Sequence, residues 1–214
     1  MRLFLLKILG LATVSTSLAL SADFSLEGSF LADDQVQLFT FSLNSASTVA
    51  LRTWSYAGGI NALRETIPSG GFDPILTLFS SSGLLIDQND DGSQSLQTEQ
   101  GFDANLEANL SPGTYVVSLT QFDNFAVGPS LNDGFRYSQS PTFTSFFGCS
   151  NGRFCDSDAN DRTGKWAVDF VGVASASSLQ SEVPESGTTV ITLVGFIFSS
   201  IYLRLARVKT HDHN

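Results

Sequence analysis

The chain has 214 residues, 21 acidic against 11 basic, for a formal net charge of −10, and it contains two Cys, one Met and 18 Phe. With 42% hydrophobic and 15% charged residues it has the balance of a chain that folds around a core, not of one that stays disordered. Between Asp23 and Gly187 there are 20 acidic and six basic residues, a net charge of −14, which excludes the basic footprint that nucleic acid or an anionic lipid surface requires.

The chain opens on a targeting pattern. Met1 to Ala22 carries Arg2 and Lys7, then the apolar stretch ILGLATVSTSLAL, then the small residues Ala19, Ser21 and Ala22. That is the layout of a secretory signal peptide cleaved after one of those three positions, so export by the secretory pathway is expected. The roughly 150 residues between the two hydrophobic ends fit one domain.

Short β-rich runs follow at 36–43 (VQLFTFSL), 47–56 (STVALRTWSY), 74–80 (PILTLFS), 83–87 (GLLID), 113–122 (GTYVVSLTQF), 143–147 (FTSFF) and 165–173 (KWAVDFVGV). Turn clusters of Gly, Asn, Asp, Ser and Pro separate them, and no long amphipathic helix interrupts them. The pattern predicts an all-β fold, an antiparallel sandwich with one side of each strand buried. In the first run Val36, Leu38, Phe39 and Phe41 alternate imperfectly, which leaves its inward face open.

Three local features carry candidate chemistry. In DQNDDG, Asp87, Asn89 and Asp91 alternate and Gly92 follows, the spacing with which oxygen ligands surround Ca²⁺ as the chain turns. Thr98 stands where a bidentate Glu is expected, with Glu99 one place later, and a solvated acidic turn between strands is the competing reading. A second alternating set, Asp156 to Asp161 (DSDAND), lacks the Gly. Cys149 and Cys155 enclose SNGRF, and in an oxidising compartment they are expected to form a disulfide, with free thiols as the alternative.

Catalysis has little to draw on. His211 and His213 both lie beyond the last apolar run, so the exported part lacks His, which removes Ser-His-Asp and Cys-His catalysis and the usual His-ligated zinc sites. A carboxylate-only glycoside hydrolase needs just two acids at a set separation in space, which sequence does not reveal. The expectation is a non-enzymatic protein. Trp54, Tyr56, Tyr137 and Trp166 offer stacking surfaces for sugar rings, and a carbohydrate-binding module is the alternative; Trp54 and Trp166, each within an apolar strand, read first as core.

The C-terminal part reads VPESGTTVITLVGFIFSSIYLRLARVK. Thr188 to Leu203 is free of charge and would span about 24 Å as a helix, which Leu205 and snorkelling Arg204 and Arg207 extend. Basic residues on its far side keep that end in the cytoplasm and leave the acidic domain outside. The expected spans are therefore a signal peptide at 1–22, a β-sandwich ectodomain at 23–174, a Ser-rich linker at 175–187, a transmembrane helix at 188–205 and a basic tail at 206–214.

Val183, Pro184 and Glu185, then the apolar run, then the basic cluster Arg204, Arg207 and Lys209 resemble the PEP-CTERM sorting domain of exopolysaccharide-producing Gram-negative bacteria, with Ser186 standing where that family has a second Pro. The resemblance implies an exosortase as partner, a membrane intermediate held by the C-terminal helix, and a final place at the cell surface or outside it. GFDPILTLFSSSGLLIDQNDDG and LSPGTYVVSLTQFD resemble the bacterial pre-peptidase C-terminal domain, which implies a jelly-roll-like β-sandwich with no catalytic site to carry over. DDQVQLFTFSL, RTWSYAGG and CDSDANDRTGKWAVDF are similar to a subset of PEP-CTERM proteins. A structural or exopolysaccharide-associated surface protein is the function these resemblances imply.

Overall fold

Alternation decides which side chains turn inward. In β2 (Gln37–Leu43) Phe39, Phe41 and Leu43 are buried while their neighbours are not, which resolves the inward face that the sequence left open. In β3 (Ser47–Thr53) the buried set is Val49, Leu51 and Thr53, as a period of two requires. The computed structural model describes residues 21–92 and 101–179. Of the expected signal peptide at 1–22 only Ser21 and Ala22 are described, and Ala22 already opens the first strand; the VPE motif, the expected transmembrane helix and the basic tail fall outside the described residues, among which no helix is long and apolar enough to cross a membrane.

Eleven strands are described. β1 (Ala22–Ser29), β2 and β3 are followed by a small hairpin, β4 (Gly59–Ile60) and β5 (Thr66–Ile67), then by β6 (Pro74–Ser80), β7 (Leu85–Asn89), β8 (Asn105–Leu110), β9 (Gly113–Gln121), β10 (Lys165–Val173) and β11 (Ser175–Leu179). They form a four-stranded sheet in the order β1-β10-β3-β8 and a five-stranded sheet in the order β11-β2-β9-β6-β7, with every named pair antiparallel. The two sheets pack together as a β-sandwich, all-β as expected. Phe39 of β2 meets Trp166 and Phe170 of β10 edge-on, at 5.5 and 5.4 Å between ring centres, so aromatic pairs join the layers.

Strand β6 is buried from Pro74 to Phe79, on both faces. Leu76 and Leu78 enter the inter-sheet core, whereas Ile75, Thr77 and Phe79 point the other way and are still fully covered. That explains why PILTLFS reads as an unbroken apolar run instead of an alternating one. A long connection, residues 122–164, leads from β9 to β10 and is tied back to the sandwich at several points. Leu85 N–H donates to Pro129 O (2.7 Å), and the buried Asp33 carboxylate accepts from the backbone N–H groups of Thr144 and Phe154 (2.9 and 2.8 Å).

Two segments differ from expectation. FTSFF is a short 3₁₀ turn, Phe143–Phe147, instead of a strand: Ser145 N–H donates to Thr142 O and Gly148 N–H to Ser145 O, local i to i−3 bonds that leave no ladder to a neighbouring strand, with Phe143 and Thr144 buried and Phe146 exposed. The expected linker at 175–187 begins with β11, whose Ser-rich sequence pairs with β2 from Ser175 opposite Ser42 to Leu179 opposite Leu38. Small polar residues suit an edge strand with its side chains in water, and the backbone pairing sets its place.

Candidate functional site

On the outer face of the four-stranded sheet, register builds a row of polar groups across four strands. Ser25 of β1 stands opposite Asp169 of β10, Asp169 opposite Arg52 of β3, and Arg52 opposite Asn105 of β8. The neighbouring row holds Glu27 opposite Ala167, with Trp54 N–H donating to Ala167 O (3.0 Å). Ala167 is small, so Glu27 and Trp54 flank a depression. The β4–β5 hairpin closes one side of it: Asn61 donates to Ser25 Oγ (3.0 Å) and Ala62 N–H to Asp169 Oδ2 (2.8 Å), clamping the hairpin to the sheet.

The resulting cleft has a volume of about 450 Å³ and is lined by Trp54, Glu27, Gly28, Lys165, Ile67 and Pro68, among others. Trp54 is held firmly in it. Its indole Nε1–H donates to Asp169 Oδ2 at 2.6 Å, and Gly59 rests so close to the ring that a Cβ there would lie 2.7 Å from Cε3. Burial pushes the Asp169 carboxyl up, and the donors from Trp54, Ser25 and Ala62 offset only part of that.

The other three candidate stacking residues have different duties. Trp166 is buried in the core, its ring lying directly beneath Gly28. Tyr56 is 3% exposed, with the Arg162 guanidinium 3.4 Å above its ring and its hydroxyl donating to Asp156 Oδ2 (2.8 Å); burial, then that hydrogen bond, pushes its phenol up. Tyr137 stacks on Phe143 at 4.2 Å. Of the four, Trp54 alone presents a half-buried indole to an open cleft.

A second cluster was not legible in sequence. Asp73, just before β6, is 5% exposed, and its Oδ1 has no hydrogen-bond partner among the described residues. Running the β6–β7 register on from Leu76 opposite Asn89 brings Asp91 beside Pro74. Burial first, then the charges of Asp91, Asp90, Asp103 and Asp156, push the Asp73 carboxyl up to about 8. Asp91 is raised by burial and by Asp90. Asp156 goes the other way: burial raises it, but donors from Asn160, Tyr56 and Asp158 outweigh that and hold it below the usual carboxylate range.

The residues singled out for Ca²⁺ are spread along a strand end. Asn89 Oδ1 accepts from Asn105 N–H (2.8 Å), joining β7 to β8, and its amide nitrogen donates to Asp91 O (3.1 Å). Asp87 Oδ1 accepts from the next residue's N–H (2.8 Å). Among the described residues no three acidic, His or Cys side chains are gathered so as to hold a metal ion. In DSDAND, Asp156 caps its own turn by accepting from Asp158 and Asn160 N–H.

Cys149 and Cys155 form a disulfide, with Cα atoms 5.4 Å apart. Gly152 takes a left-handed φ of 68°, which turns the loop back, and Arg153 reaches across to Leu31 O (2.8 Å). Phe154 is buried against Phe72, so the loop is pinned from beneath. Reduction should lower stability by about 2 kcal/mol, the chain-entropy value for so short a loop. Urea unfolding with and without reductant measures it, and midpoints that coincide would show the bond to be energetically idle.

The described residues thus form an all-β sandwich with one disulfide-closed loop and an aromatic depression on an outer sheet face. No family model matches the chain, and no curated protein matches it either.

Proposed function

We propose that the protein is an exosortase-sorted cell-surface or extracellular-matrix component, with a jelly-roll-like, non-catalytic β-sandwich resembling the pre-peptidase C-terminal domain, associated with exopolysaccharide. The observation that carries the reading is the order of parts at the C-terminus. Val183-Pro184-Glu185, an uncharged run from Thr188 to Leu203 and the cluster Arg204, Arg207 and Lys209 follow one another in the sequence behind a signal-peptide-like start. Pro184 and Glu185 stand four and three residues before the uncharged run in the sequence, the position at which a membrane-embedded enzyme acting on the outer side would cut. The carboxylates of the body support a structural role: Asp33, Asp103 and Asp156 each accept several hydrogen bonds from the chain itself.

In a host that has the exosortase, the mature protein is expected to end near Val183. Intact-mass measurement of protein extracted from the cell surface tests this. A mature form that keeps Phe196 to Lys209 would reduce the C-terminal segment to a plain membrane anchor.

A further inference from the structure

We propose that the cleft at Trp54 is a subsite for one ring of an uncharged polysaccharide. The inference rests on the reading of the protein as a surface or matrix component, and adds to it a site and a ligand class.

Shape comes first. A volume of about 450 Å³ lies within the ordinary range for small-ligand sites, and the lining is mainly apolar, from the indole, Ile67 and Pro68. A pyranose ring has one face of C–H groups and a rim of hydroxyls, so it can lay the face on an indole while the rim meets polar side chains. Trp54 is already fixed for this by Asp169 and Gly59, so ordering it on binding costs little conformational entropy.

The rim then selects among ligands. Glu27 and Lys165 stand at the cleft with opposite charges, both exposed, and neither enters an ion pair among the described residues. A ligand of one charge would be drawn to one and repelled by the other. A hydroxyl, which donates and accepts, satisfies both: it can donate to the Glu27 carboxylate and accept from the Lys165 ammonium. The field of the whole domain decides against acidic glycans, because its net charge of −14 repels uronate or sulfate chains. Charge complementarity thus commits the site to neutral sugars.

A Cβ at Gly28 would point inward and fall 2.2 Å from Cζ2 of Trp166, so the strand can cross the buried indole beneath the cleft only as Gly. Lys165 and Ser29 pair across β1 and β10 at the open end, where a second ring of a chain could continue.

The test is a titration of the full-length chain, in a detergent without a sugar headgroup, with hexasaccharides of glucan, mannan and galactan and with oligo-alginate as the acidic counterpart. The chain has two Trp and both line the cleft, Trp166 from beneath as a buried ring, so a change in emission reports on the cleft. At least one neutral hexasaccharide should shift the emission saturably. Calorimetry should then show the affinity lowered about tenfold or more in Trp54→Ala, and about threefold in Glu27→Gln. Glu27→Gln and Lys165→Met alter exposed side chains and keep the test alive if Trp54→Ala does not fold. The proposal is overturned if no neutral oligosaccharide binds, if only alginate does, or if binding is unchanged in Glu27→Gln and Lys165→Met. The mass of the surface-extracted protein does not depend on any of these results, so a failed titration leaves the sorting reading standing and a failed sorting test leaves this one.

Discussion

Between about pH 4 and about pH 8 the folded domain should lose stability steadily as pH rises, and Asp73→Asn should remove most of that slope. An unfolded Asp ionises near the ordinary value of about 3.9, whereas Asp73 in the folded state holds its proton up to about 8. Below both values the carboxyl is neutral in either state and carries no penalty. Above the first, the unfolded chain has given up a proton that the folded one keeps, so stability falls by about 1.4 kcal/mol per pH unit until Asp73 itself ionises. The full span amounts to about 6 kcal/mol, a large part of what holds a domain of this size together. Burial pushes Asp91, Asp103 and Asp169 in the same direction, so the variant keeps a smaller slope of the same sign. Urea melts of residues 21–181 at a series of pH values, in chelator, measure both curves. Asp73→Asn should be the more stable protein at pH 8, and parallel curves for the two would refute the assignment.

How much of this was legible depended on whether a signal was local. The runs at 74–80 and 165–173 coincide with β6 and β10, because their apolar and β-branched residues are packed where they stand. In β1 and β8 the sequence signal was present but weak. Phe24, Leu26, Gly28 and Phe30 alternate, as do Leu106, Ala108 and Leu110, yet Glu, Asn and Ser between them lowered the apparent strand content. β11 carried no such signal, since its backbone pairing with β2 is a long-range event. FTSFF misled because aromatic residues favour strands in general, while here the Thr144 N–H and hydroxyl are drawn to Asp33, 111 residues away in sequence. The pairing of Cys149 with Cys155 was readable, as both lie in one short loop. The cleft was not: Glu27, Trp54 and Lys165 come from three distant segments that only the β1-β10-β3 order brings together. Asp73 was equally hidden, since burial and the neighbours that raise it are properties of the fold.

Asp103→Ala should cost about 3 kcal/mol, among the largest losses expected from one polar side chain in this domain. Four donors converge on that carboxylate. Oδ1 accepts from the Thr53 hydroxyl (2.9 Å) and from the N–H groups of Ser55 (2.7 Å) and Tyr56 (3.1 Å), and Oδ2 accepts from Ala57 N–H (2.8 Å). These bonds shape the turn that leaves β3, and that turn carries Trp54. Removing the carboxylate strips three backbone N–H groups of their acceptor at once, in a place where Ser55 and Tyr56 are shut off from water. Asp103→Asn should fall between, with a loss of about 1–2 kcal/mol. Its amide oxygen can keep the donors on the Oδ1 side, but its NH₂ then faces the Ala57 N–H, donor against donor. Chemical denaturation of the two variants beside the native domain gives the energies. Amide hydrogen exchange adds a local readout: protection should drop first at Ser55, Tyr56 and Ala57, while β6 and β9 stay protected. The same loosening should reach the cleft, so Asp103→Asn is expected to weaken any saccharide that Trp54 holds, although residue 103 is not among the residues lining the cleft. A loss below about 0.5 kcal/mol in Asp103→Ala, the size of an ordinary surface change, would mean that water replaces the carboxylate without cost and that the turn is held by other contacts.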